Sequence, residues 1–195
     1  MIMKQKAMVK RERGGERCLP ALGGALLLGA VLGSFCCIRM ERLCLVLQEQ
    51  QMLTLWQCFW PELVLLLVVL LSGFVRIGCW TALFAMAVKG FFLSAVSTAQ
   101  VLQMGSRGYL WALPGVLLPA IFSVAALLLL GRQAMGWSVM RQRYSGGRGK
   151  LLMPDSAYFI TAAVCSLLIL LSAIVQLRLT PMLWSLLEGL LPLAG

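Results

Sequence analysis

Histidine is absent from this chain, aspartate occurs once (Asp155), and the only glutamates are at 12, 16, 41, 49, 62 and 188. General acid/base chemistry and hard-cation sites need clustered imidazoles or carboxylates, and no two acidic residues here share a pocket deep in an apolar segment. The cysteines at 18, 36, 37, 44, 58, 79 and 165 form no CxxC pair and have no companion histidine, so no zinc or haem site is read from them. GxxxxGK followed by Ser or Thr does not occur, which leaves no loop to cradle a nucleotide. Together these absences point away from an enzyme and from any cofactor or metal. Charge of either sign is also scarce, at 12% of residues.

What the chain has instead is apolar surface. Hydrophobic residues make up 61% of the 195 positions and the mean hydropathy is +0.90, whereas soluble chains run about 45–50% apolar and about 25% charged. A single water-soluble core could not hide so many leucines, so lipid is the expected solvent for most of the chain. The net charge of +10 would raise the question of nucleic acid in a soluble protein. Here the basic residues cluster at the edges of apolar segments, a pattern that orients helices in a bilayer and attracts anionic headgroups. The expected fold class is therefore all-α: a polytopic integral membrane helical bundle of about five transmembrane helices, forming one membrane domain over 1–195.

Residues 1–18 form a basic arm with Lys4, Lys6, Lys10, Arg11, Arg13 and Arg17. Apolar runs at 19–38, 60–75, 77–104, 109–130 and 157–177 are the candidate spans, and the first has the roughly 20 residues a helix needs to cross. The first lacks the short core and small-residue cleavage site of a signal peptide. Residues 39–58 are mixed, with Leu43/Leu47 and Met52/Trp56 at i,i+4 spacing, and read as an amphipathic segment on the outer surface. A basic block from 132 to 150 includes a glycine-rich stretch at 145–149. Residues 178–195, with two prolines, read as an outer apolar tail. Cys44 and Cys58 fall on the outer side, where they are either a disulfide or small apolar fillers.

With five spans and a cytoplasmic N-terminus, twelve lysines and arginines fall inside, four outside, and Lys89 within the membrane, in accord with the positive-inside rule. Trp56, Trp60, Tyr109, Trp111 and Trp184 then sit at outer boundaries, and Trp80, Trp137, Tyr144 and Tyr158 at or near inner ones. Between Trp60 and Met104 a re-entrant hairpin is the alternative to two spans.

Few features inside the spans carry chemistry. Gly29 and Gly33 form a GxxxG step that lets another backbone approach closely, either within this chain or from a second copy. Lys89 costs at least ~2.5–3.5 kcal/mol at mid-helix unless it is paired or wet. No intramembrane carboxylate is assigned to it, which leaves carbonyls, Gln100 or a water-filled crevice. Its two readings are a polar cavity between helices and a snorkelling lysine capped by carbonyls. Pro114 and Pro119 should kink the fourth span and free carbonyls that face Lys89.

The order of these features resembles the stage II sporulation protein M family of bacterial membrane proteins. The resemblance runs over nearly the whole chain: the basic arm, GAVLG at 29–33, Lys89-Gly90, Leu113-Pro114, Pro119-Ala120 and Thr180-Pro181-Met182-Leu183. Gln176 stands where that family often has a glutamate. The resemblance implies a multi-pass protein of the bacterial cell membrane, a scaffold of the engulfment machinery that localises cell-wall hydrolases at the septum. Leu43, Leu47, Trp56, Thr180 and Pro181 are then the candidate partner contacts, and Gly29, Gly33, Lys89, Gly90, Pro114 and Pro119 the packing residues. A transporter or channel subunit with Lys89 in a polar pathway is the alternative, and the membrane half of an export system with a separate ATPase is a third.

Overall fold

The computed structural model describes residues 2–39, 55–75, 77–105, 108, 112–144 and 155–190. In lipid a long apolar run leaves the backbone no partner but itself, so these runs fold as helices. The helices are α1 (Ile2–Arg39), α2 (Leu55–Ser72), α3 (Gly78–Met104), α4 (Leu118–Tyr144) and α5 (Ser156–Leu190), with a π-helical turn, Leu113–Leu117, leading into α4. Four segments among the described residues are long and apolar enough to cross a bilayer: Cys18–Arg39, Gly78–Leu102, Leu113–Arg141 and Ser156–Leu183. The protein is a multi-pass, all-α membrane protein. The apolar part of α2, Phe59–Ser72, is shorter; at 1.5 Å per residue it covers about 21 Å of a hydrocarbon core about 30 Å thick.

Three helices extend past the bounds their composition predicts. The basic arm is continuous with α1, because its Lys, Arg, Glu, Met and Ala residues are good helix formers. Helix α4 continues beyond Leu130 to Tyr144, since its polar residues find partners inside the bundle. Gln133 donates to Thr161 (2.9 Å), Ser138 donates to the Val75 carbonyl (3.2 Å), and Arg141 donates to the Phe74 carbonyl. Helix α5 does not end at Leu177 but runs through Pro181 to Leu190, so the segment from Arg178 to Leu190 is helix and not a separate tail.

Helix α4 is the hub, touching α1, α2, α3 and α5, while α2, α3, α4 and α5 form a ring and α1 packs outside it on α3 and α4. The α2–α3 connection is a tight hairpin through Gly73, Phe74 and Val75, held by Phe74 N–H donating to Leu71 O (2.9 Å) and Gly78 N–H to Val75 O (3.1 Å). A Cβ at Gly78 would overlap the Ser72 backbone, so only glycine lets the two helices approach there. Tyr158 closes this end: its hydroxyl donates to the Leu70 carbonyl (2.7 Å) and its ring meets Phe74 edge-on at 6.2 Å. The N-terminal end of α3, the last turns of α4 and the first turn of α5 thus share one end, together with Arg141.

The most extensive helix pairing is that of α1 with α3, which run parallel. Gly29 lies on the Ala87 backbone, Gly33 on Phe91 and Ser94, and Gly90 on the backbone of Leu26 and Ala30. Thr98 donates to Ser34 across the same seam (3.3 Å). Lipid tails are as apolar as leucine, so hydrophobicity alone does not hold two helices together; close backbone approach supplies the attraction instead. The GxxxG step is occupied within the chain.

Replacing Gly29 or Gly90 by valine should therefore cost more than the ~1–3 kcal/mol typical of overpacking, because the obstructing atoms are backbone and cannot turn aside. Gly23, with open space around it, should accept alanine without loss. Thermal unfolding of the purified protein in detergent checks both; equal tolerance at the three sites would contradict the packing described.

Candidate functional site

Lys89 occupies the middle of α3, and its side chain is 9% exposed. Its ammonium is ion-paired with Glu62 of α2, whose side chain is 24% exposed. This corrects the sequence reading, which assigned Lys89 no intramembrane carboxylate although Glu62 falls within the candidate span 60–75. The hairpin explains the pairing: the midpoint of 62 and 89 falls between Val75 and Arg76, in the turn, so both residues lie at the same depth on antiparallel helices. That symmetry was available from the sequence, but only on choosing the hairpin's centre.

Adjacent residues on α3 serve different neighbours, as a 100° step per residue requires. Lys89 faces α2 while Gly90 faces α1. Gln100, the other polar partner considered for Lys89, lies about 16 Å further along the α3 axis. Its Oε1 is buried with no donor among the described residues.

The ion pair forms one wall of a half-open cavity of about 170 Å³ lined by residues of α2, α3, α4 and α5 and the π turn. Across from Glu62 and Lys89 the lining includes Gly115, Pro119, Ser123, Ser172 and Gln176. Sequence reasoning did not single out Glu62, Ser123 or Ser172. Serines on long apolar runs carry no pattern of their own; only the fold brings them to one place.

The two prolines act through the local register. Leu118 N–H bonds to the Leu113 carbonyl five residues back, the π spacing. In that register the Pro114 carbonyl would look to residue 119, which is a proline with no N–H to give. Thr180 fills the gap by donating its hydroxyl to the Pro114 carbonyl (3.1 Å), and Ser172 donates to the Pro119 carbonyl (2.7 Å). The proline carbonyls are thus satisfied by α5 hydroxyls and are not the cap on Lys89. Pro119 nevertheless shares the Lys89 cavity.

This geometry also corrects the set of partner contacts. Thr180 is 5% exposed and internal, so it binds α5 to the π turn and offers no surface. Pro181 beside it is exposed. Trp56 is exposed and stacks on Trp60 with ring centroids 5.1 Å apart, an aromatic ledge at the start of α2. Leu43, Leu47 and Cys44 lie outside the described residues, as does the side chain of Cys58.

Comparison with known protein families, with curated sequences and with solved structures gives no match to this chain.

Glu62→Gln leaves the ammonium of Lys89 buried without its counter-charge and should cost ~3–5 kcal/mol, whereas Glu62→Gln with Lys89→Met should recover most of that loss. Thr180→Val should cost about 1 kcal/mol, the usual scale for an interhelical hydrogen bond in a membrane. Unfolding in mixed micelles at rising SDS fraction reads all three. An unchanged midpoint for Glu62→Gln alone would show that the pair contributes nothing.

Proposed function

We propose that this protein is a non-catalytic membrane scaffold, and that its role is that of the family it resembles: a subunit of the sporulation engulfment machinery that localises cell-wall hydrolases at the septum of a bacterial cell. The observation that carries the reading is that Lys89, the ionised group at mid-helix depth on α3, is paired within the bundle by Glu62. A charge so paired holds helices together and needs no substrate. The GxxxG step is likewise filled from inside the chain, and the poverty in ionisable groups leaves hydrolytic chemistry to partners. The N-terminus is assigned to the cytoplasm on the positive-inside count. The partner surface is then the segment 40–54 with the Trp56–Trp60 ledge beside it.

A transporter or channel subunit is the second reading, favoured by one observation: the ion pair borders a cavity whose otherwise largely apolar lining includes Ser123, Ser172 and Gln176. It requires access to that cavity from both faces of the membrane, which a scaffold does not.

Deleting 40–54, which spares the first turn of α2, should abolish septal recruitment of the wall hydrolase in a sporulating host. The deleted protein itself should still reach the membrane in normal amount. Fluorescence of a tagged hydrolase reads the result; unchanged recruitment would overturn the scaffold reading.

A further inference from the structure

The Lys89–Glu62 cavity has one wall that is left chemically unfinished. Glu62 Oε2 is buried and receives no donor among the described residues, and a buried carboxylate oxygen without a donor is costly. Lys89 carries three N–H groups, and Glu62 Oε1 is the acceptor that meets it. Opposite stand the Ser123 and Ser172 hydroxyls and the Gln176 amide. Each serine already donates to a carbonyl, to Ala120 O and Pro119 O respectively, so each oxygen keeps its lone pairs free to accept. A filler must therefore donate to Glu62 and accept from Lys89, and it must be neutral, because the facing charges already cancel.

Water meets those terms, and a volume of about 170 Å³ has room for several molecules, since one needs only ~10–15 Å³ of probe-occupied space. The cavity is also closed on one side. One to two turns nearer the hairpin, Leu66 and Val69 of α2, Met86 of α3, Leu127 and Leu130 of α4, Ile169 of α5 and neighbouring buried residues form a continuous apolar floor. Glu62 itself is partly exposed and lies about 10 Å from the start of α2.

We propose that this cavity is a hydrated vestibule: a binding site for a small water cluster that bridges Glu62, Lys89 and the α4–α5 serines, entered from the end where α2 begins and sealed toward the α2–α3 turn. Such a site passes nothing through the membrane. A scaffold does not require it, so the inference stands or falls separately from the role proposed above.

The test uses the full-length protein with its native cysteines replaced, carrying Val96→Cys or Val116→Cys in sealed vesicles. Val96 and Val116 line the cavity from different elements. Leu127→Cys, in the floor, and Leu129→Cys, on the lipid-facing side of α4, are the references. A membrane-impermeant thiosulfonate added at the face where α2 begins should label positions 96 and 116 at least tenfold faster than 127 and 129, and should label neither from the opposite face. Retained unfolding midpoints confirm that each variant is folded, and the two positions back each other up. Rates at 96 and 116 equal to the references would overturn hydration; labelling from the opposite face would overturn the seal.

Discussion

An ammonium group in the middle of a membrane helix has to be matched at its own depth, and in this bundle that requirement governs the arrangement of the hairpin around it. Glu62 can reach Lys89 only if α2 turns back on α3 at Gly73–Val75, which fixes the register of the two helices. Once α2 and α3 are set, their turn is gripped by Ser138, Arg141 and Tyr158, and this aligns α4 and α5 with them. The pair costs desolvation energy, so its value lies in register as much as in stability.

Elsewhere the helices are held by small residues and hydroxyls, as expected where the solvent is itself hydrocarbon. Helix α1 adheres to α3 through glycines that bring backbone against backbone. Helix α5 adheres to the π turn and α4 through Thr180 and Ser172, each answering a carbonyl at a proline. The prolines thus widen the turn, and the widened turn helps line a half-open cavity that brings a few polar groups together in an apolar bundle. Fold and site have a common cause in a few exceptions to an otherwise leucine-rich sequence.

Much of this was legible in the sequence. The all-α membrane class follows from composition, the positions of α1, α3 and the start of α5 from apolar runs, and the close packing at Gly29 and Gly33 from their spacing. Glu62 was hidden because an acidic residue beside Trp60 and Pro61 reads as a boundary, and a boundary assigns no depth. The true length of α4 was hidden because hydropathy penalises Gln133, Ser138 and Arg141, whose partners lie on α5 and in the α2–α3 turn. Thr180 looked like part of an exposed tail for the same reason: a proline after it suggests a helix end, while its hydroxyl answers a carbonyl 66 residues away.

The central claim is that Lys89 and Glu62 interact directly and set the α2–α3 register. A charge swap tests it most directly: Glu62→Lys, Lys89→Glu and the double exchange, each measured for the fraction of protein that is folded and its unfolding midpoint in detergent. Each single exchange, which places two like charges at one depth, should bring severe loss, and the double exchange should bring substantial recovery. A double exchange no better than the worse single variant would contradict the claim.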